Sequence, residues 1–269
     1  MDDTNRPRPV VAGIDGSETA IRAAQWAIDE AVSRDVPLRL VYATKAAHPS
    51  AQDYESDVRR GKASLRAAQA TIDAIDRPVK IETAIVAGPP GGAFVEESRD
   101  ADLICVGSVG IGRYAQAILG STAAELAEKS HCAVAIIRPR HDEESRRDIS
   151  WIVVAINDEP DNEAVVKRAM EEATLRHAPL LAIGEHHAIR GSRDGLDAEV
   201  DNWRRCYPGV HIYPVADQTD VATFLRRHDE RVQLAVIGGS EADQLARIVG
   251  PPGHPLFHHS ECSVLVVRP

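Results

Sequence analysis

The sequence predicts an α/β protein made of two tandem copies of one domain, each an open five-stranded parallel sheet with helices on both faces. Three observations carry that prediction. "CAVAIIRP" at Cys132 to Pro139 recurs as "CSVLVVRP" at Cys262 to Pro269, 130 positions on. "VVAGIDGSETA" from Val10 answers "IVVAINDEPDNEA" from Ile152, which sets Asp15 against Asn157 at an offset of 142. Such self-similarity marks a duplicated unit. Within each copy, short β-rich runs alternate with helical stripes, the order expected of parallel strands joined by crossover helices.

The strands of copy one are expected at Val10 to Asp15, Leu38 to Ala43, Val79 to Val86, Asp102 to Gly107 and Ala133 to Arg138. Between the first two, Ala20, Ala24, Ala27, Ile28 and Ala31 recur at helical spacing, with Ser17 placed to cap the start. Val58, Leu65, Ala68, Ile72 and Ile75 form a second apolar stripe. Copy two repeats the plan, with strands at Ile152 to Ile156, Leu180 to Gly184, Val210 to Val215, Leu234 to Gly238 and Ser263 to Val267. Its first helix carries Val166, Met170 and Ala173. The difference between the two offsets makes copy two about a dozen residues shorter. Most of the loss falls between its second and third strands, where Glu185 to Gly209 does the work of Thr44 to Pro78. The charged, apolar-poor segment 138–150 reads as a linker, giving domains of 1–140 and 150–269.

Composition narrows the function. The 269 residues are 43% hydrophobic and 27% charged, enough for a sizeable core, and their net charge is −10. That balance argues against broad nucleic-acid binding, which needs clustered Lys and Arg. No apolar run approaches the ~20 residues of a membrane helix. The opening "MDDTNRPRPV" resembles neither a signal nor a transit peptide, so the cytoplasm is the expected location. Four scattered cysteines without C-x-x-C spacing read as buried thiols, with Cys132 and Cys262 at equivalent core positions.

The candidate chemistry lies in "VGSVGIGRYAQAILGST", Val106 to Thr122, directly behind the fourth strand. In open parallel sheets, ligands bind beyond the carboxyl ends of the strands at the switch point. Here those ends are Asp15, Ala43 and the loop after Gly107. A Walker A loop is excluded, because no Lys followed by Ser or Thr stands in the required frame. "GIGRYA" at Gly110 satisfies G-x-G-x-x-[GA], but a dinucleotide fingerprint belongs in the first strand-to-helix turn, and "GIDGSE" lacks it. Gly107 and Gly110 let amide groups face inward as an anion nest, while Gly120, Ser121 and Thr122 begin a helix whose free N–H groups favour phosphate oxygens. Arg113 inside the loop is either a phosphate contact or a solvated cation.

The spacing Gly107-x2-Gly110-x9-Gly120-Ser121 resembles the G-x2-G-x9-G-[ST] signature of the ATP-binding branch of the universal stress protein family. "VAGIDGSETAIRAAQWA", "LRLVYA", "ADLICVGSVGIGR" and "LGSTAAELAEKSHCAVAIIRP" are similar to that family in order and spacing, and the likeness extends over nearly the whole chain as two copies. The resemblance implies a Rossmann-like fold of the adenine nucleotide alpha hydrolase type. It implies a site built from Gly13 and Asp15 beside the nucleoside, the Ala43 backbone against adenine, and Gly107, Ser108, Gly110, Gly112, Arg113, Gly120, Ser121 and Thr122 around the phosphates. The expected ligand is ATP, alone or with Mg2+, and the expected role is a nucleotide-dependent stress-response or growth regulator. A homodimer and an unidentified protein partner follow from the same resemblance. The apolar last strands of the two copies are expected at sheet edges, where they could pair within one chain.

Copy two departs from the signature. Gly250 answers Gly120, but Pro251 and Pro252 replace Ser121 and Thr122, Glu241 stands at the Gly110 position, and Asn157 replaces Asp15. Copy two is therefore expected to bind no ATP. Nothing supplies a convincing general base beside Asp15, so a binding module is expected before an enzyme. A slow ATPase and a nucleotide-free scaffold with two vestigial crevices are the alternatives. His254, His258 and His259 have a spacing that could face a metal, but Pro252 and Pro255 interrupt any helix there. His186 reads as part of a solvated loop.

Overall fold

A computed structural model describes residues 7–45, 47–110, 119–138, 150–184, 193–217, 219–228, 231–249 and 262–268. The chain forms two compact units, Met1–Pro139 and Arg140–Pro269. In the first, the elements run β1 (Val10–Gly13), α1 (Glu18–Arg34), β2 (Leu38–Ala43), α2 (Ala51–Asp73), β3 (Ile81–Val86), α3 (Pro90–Glu97), β4 (Leu103–Gly107), α4 (Ser121–Lys129) and β5 (Ala133–Ile137). All neighbouring strands are parallel, in the order β3-β2-β1-β4-β5. The chain steps outward from β1 to β3, then returns to the other side of β1 with β4. Right-handed crossovers then put α1 and α2 on one face and α3 and α4 on the other. Consistent with this, α1 packs on α2 and α3 packs on α4. The reversal between β1 and β4 is the switch point.

The strands are apolar because both faces are covered. Val10, Ala12, Leu38, Leu40, Val41, Leu103, Ile104 and Cys105 are fully buried. Ala20, Ala24, Ala27, Ile28 and Ala31 form the inner stripe of α1, and the small alanines let this helix lie close to β1 and β4. Ser17 caps α1, its Oγ accepting from the Ala20 amide at 3.1 Å. In α2 the buried line is Asp57, Gly61, Leu65, Ala68 and Ile72. It differs from the apolar stripe expected from sequence: Val58 is only half-buried, and Ile75 lies past the helix end and is 41% exposed.

The second unit repeats the plan with β6 (Trp151–Ile156), α5 (Asn162–Leu175), β7 (Leu180–Gly184), α6 (Arg193–Cys206), β8 (Ile212–Val215), α7 (Val221–Arg227), β9 (Val232–Gly238), a 3-10 helix (Gly239–Gln244), α8 (Leu245–Val249) and β10 (Ser263–Val267). Its parallel order is β8-β7-β6-β9-β10, the same path as in the first unit. The repetition reaches single residues. Glu30 is fully buried and paired with Arg34 at 2.7 Å, and Glu172, 142 positions on, is buried and paired with Arg176 at 2.9 Å. Asp35 and His177, at the same offset, both adopt the left-handed conformation just past their helices. The main difference is where the sequence is shorter: α6 has 14 residues where α2 has 23. The linker segment 139–149 lies outside the described residues.

Candidate functional site

The carboxyl ends of β1, β2 and β4 open onto a cavity of about 490 Å3. Gly13 and Asp15 line it from β1, Ala43 from β2, and Gly107 and Gly110 from β4. Gly120, Ser121 and Thr122 line it from the start of α4. Ser108, between Gly107 and Gly110, stands behind the wall. It is 2% exposed, its amide donates to the Ile137 carbonyl at 2.9 Å, and its carbonyl accepts from the Gly120 amide at 2.7 Å. That last bond closes the loop between β4 and α4. It also spends the Gly120 N–H, so the donors left free by helix geometry are those of Ser121, Thr122 and Ala123. All three residues border the cavity, and no side chain caps this helix. Gly112 and Arg113 lie outside the described residues.

Close approach explains two of the glycines. A Cβ on Gly107 would come within 2.8 to 3.0 Å of Thr19, whose hydroxyl donates to the Val109 carbonyl and ties the loop to α1. A Cβ on Gly110 would sit 2.5 Å from Asp15 Oδ2. Asp15 therefore uses its two oxygens differently. Oδ1 accepts from the Ser17 amide at 2.8 Å, a turn that leads into α1, while Oδ2 faces the glycine loop. In the second unit, Asn157 Oδ1 accepts from the Glu159 amide at 3.1 Å, the same turn without the charge. The turn thus needs an oxygen and not a carboxylate.

The far wall of the cavity was not anticipated from the sequence. Tyr42, Thr44 and Lys45 border it from the end of β2, Asp57 and Arg60 from α2, and Phe94 from α3. Asp57 is 5% exposed and accepts three hydrogen bonds: from the Tyr42 hydroxyl at 2.8 Å, the Lys45 amide at 3.0 Å and His48 Nε2 at 2.9 Å. Burial opposes its ionisation, but the Lys45, His48 and Tyr42 donors outweigh burial and hold its pKa at about 2. Burial first, and then this carboxylate, push the Tyr42 hydroxyl up to about 12. The network anchors the start of α2 to the end of β2. A sequence signal for it exists: Asp57 is the one charged member of the line 57, 61, 65, 68, 72 that buries α2.

The corresponding strand end of the second unit is occupied by its own acids. Glu241 is 8% exposed and folds back over the 3-10 helix to accept from the Gly238 amide at 2.8 Å, and Gln244 Nε2 donates to its other oxygen at 3.2 Å. Asp161, at the position of Thr19, lies where a Cβ on Gly238 would meet its carboxylate at 2.7 Å. Both negative groups lie at the carboxyl end of β9, the strand that corresponds to β4. Gly250, Pro251, Pro252 and the histidines at 186, 254, 258 and 259 lie outside the described residues.

Among the described residues, no group of three or more His, Cys, Asp and Glu side chains is placed to hold a metal ion, and no helix is long and apolar enough to cross a membrane. Cys105, Cys132 and Cys262 are buried thiols outside any disulfide, whereas Cys206, expected to be buried like them, is exposed at the end of α6. Cys132 and Cys262 make the same weak contact, to the carbonyl of the following residue at 3.4 and 3.3 Å. Burial pushes the Cys132 thiol to about 12, which suits a core position and not a nucleophile.

Comparison with known proteins places this architecture. The universal stress protein family matches residues 7–138. Universal stress protein Rv2624c of Mycobacterium tuberculosis is 56% identical over 263 residues, spanning 97% of this chain and 96% of its own length. Universal stress protein Rv3134c of the same organism is 37% identical over 277 residues, spanning 100% and 98%. The crystal structure of a universal stress protein from Archaeoglobus fulgidus matches with a TM-score of 0.72, covering 98% of this chain and 97% of its own at 14% identity, a likeness of fold. The duplicated five-stranded sheets, the glycine loop at the switch point and full-length identity of this degree lead to one conclusion: the chain belongs to the universal stress protein family.

Proposed function

We propose that the first unit binds an adenine nucleotide, ATP in the expected form, and that the protein acts as a nucleotide-dependent stress-response regulator and not as a turnover enzyme. One observation carries the reading. The cavity at the β1/β4 switch point is lined by the uncapped start of α4, whose Ser121, Thr122 and Ala123 amides have no intrahelical acceptor and whose first two residues carry hydroxyls. Such a helix start favours phosphate through both its free donors and its dipole. The spacing of Gly107, Gly110 and Gly120, shared with the ATP-binding branch of the family, supports adenine nucleotide over other phosphate ligands. Asp15 is positioned to accept from ligand hydroxyls. Asp57, the other cavity carboxylate, already accepts from three partners and is poorly suited to activate water.

The second unit, in this reading, binds no nucleotide. Glu241 supplies an internal anion to the Gly238 amide, and Asp161 adds a second negative charge, so a phosphate would meet repulsion in place of donors. Its role is structural, or that of a partner surface. The reading is tested by denaturing purified protein and assaying the released small molecules by mass spectrometry, then titrating ATP into nucleotide-free protein. Released adenine nucleotide, or saturable ATP binding, is the expected result. The absence of both would overturn it.

A further inference from the structure

Thr19 is buried in the first turn of α1, and its hydroxyl donates to the carbonyl of Val109 in the loop behind β4. A hydroxyl has one proton to give, so in the 3.0 Å contact between Thr19 Oγ1 and Ser17 Oγ the threonine oxygen is the acceptor. Ser17 Oγ in turn accepts from the Ala20 amide at 3.1 Å. The run from Ala20 through Ser17 and Thr19 to Val109 sets one direction for each hydroxyl and latches the glycine loop to the capped start of α1.

The latch decides which way one peptide faces. In a trans peptide the N–H points opposite to the carbonyl that precedes it, and no peptide among the described residues is cis. With the Val109 carbonyl held on α1, the Gly110 N–H is turned away from α1. Gly110 is exposed and borders the cavity, and its N–H makes no hydrogen bond among the described residues. A flipped peptide would present the Val109 carbonyl oxygen there, an acceptor in place of a donor. The second unit reverses the latch. Asp161 occupies the Thr19 position, and its carboxylate has no proton to give, so it accepts from the hydroxyl of Ser240, the counterpart of Val109, at 3.3 Å. The segment behind β9 there closes into the 3-10 helix Gly239–Gln244. Resting on the nucleotide reading above, we infer that Thr19 is a positioning residue of the phosphate site: without touching the ligand, its hydroxyl holds the Val109–Gly110 peptide so that the Gly110 N–H is offered to a phosphate oxygen.

The test is calorimetric titration of the nucleotide-free full chain with three ligands: ATP, inorganic tripolyphosphate, which lacks the nucleoside, and adenosine, which lacks the phosphates. Thr19→Ala deletes the hydroxyl at a position where alanine suits the helix. It is expected to weaken ATP and tripolyphosphate roughly ten- to a hundredfold, the worth of one hydrogen bond to a charged acceptor, and to leave adenosine within about threefold of wild type. Thr19→Ser keeps the hydroxyl and is expected to restore all three affinities to within about threefold of wild type. Thr19→Val keeps the side-chain volume and gives the same comparison if the alanine variant fails to fold. The split between ATP and adenosine is a readout that a merely structural role would not move. Undiminished ATP affinity in the folded variants overturns the inference, as does an equal loss for ATP and adenosine, or a serine variant that binds ATP no better than the alanine one. A wild-type chain that binds no adenine nucleotide overturns the underlying reading, a result distinguishable from any of these.

Discussion

Replacing Ser121 with proline separates binding from folding at the position that matters most. Ser121 is the first residue of α4, following a Gly120 with φ −67° and ψ 147°. Proline is well accommodated at a first helical position, where the N–H has no intrahelical acceptor, and the extended backbone of Gly120 is what a residue before proline requires. Ser121 is exposed and borders the cavity. The expected change in stability is therefore within about 1 kcal/mol. The site, in contrast, loses one amide donor and one hydroxyl. Hydrogen bonds to a charged acceptor contribute about 1.5–3 kcal/mol each, so one lost donor weakens ATP roughly ten- to a hundredfold and both together a hundredfold or more. Calorimetric titration measures the affinity, and thermal unfolding without ligand measures the fold. A folded Ser121→Pro protein that binds ATP within about threefold of wild type would refute the placement of phosphate at α4, since that margin is below the effect of a single lost donor.

Asp15→Asn retains the oxygen that accepts from Ser17, as Asn157 does in the second unit, so its melting temperature is expected to match wild type while ATP affinity falls about five- to tenfold through loss of a charged acceptor; an unaltered affinity in calorimetry would remove Asp15 from the site. Asp57 has a pKa lowered from 3.8 to about 2, so its stabilisation is fully present above pH 4 and is lost as the pH falls toward 2. Wild type should therefore lose about 2 kcal/mol more than Asp57→Asn across that interval in denaturant titrations. Tyr42 shifts the opposite way, from 10 to about 12, and its contribution is present below pH 10 and lost as the pH rises toward 12. Glu241→Ala leaves the buried Gly238 amide without its acceptor and is expected to destabilise the second unit by about 1–3 kcal/mol in thermal unfolding; no loss would show that the carboxylate does not serve the fold.

Much of this fold is legible in the sequence because both its periodicities are clean. The strands are short, mostly apolar runs between turn residues, and β2, β7 and β10 begin and end at the residues expected. The start of α1 is legible from Ser17, whose capping is a local interaction. The line along α2 was harder. Asp57 breaks the apolar pattern, and its burial depends on Tyr42, Lys45 and His48, which come from outside the helix and meet it only once the chain has folded. For the same reason the far wall of the cavity is not legible in the sequence, since Lys45, Asp57 and Arg60 sit in no recognisable motif and are gathered by the crossover from β2 to α2. The glycine spacing marks the near wall, where Gly107 and Gly110 each answer a close approach that sequence can suggest. It could not reveal that Ser108 would turn both its backbone groups to Ile137 and Gly120 and so stand behind the site.

In the proposed reading, one unit of this duplicated chain binds nucleotide and the other does not, so the stoichiometry of ATP binding to nucleotide-free, full-length protein is the deciding measurement. Saturation at one ATP per chain, with the affinity lowered about a hundredfold or more in Ser121→Pro, is the expected result. Two equivalent sites per chain, or a Ser121→Pro affinity within about threefold of wild type, would contradict it.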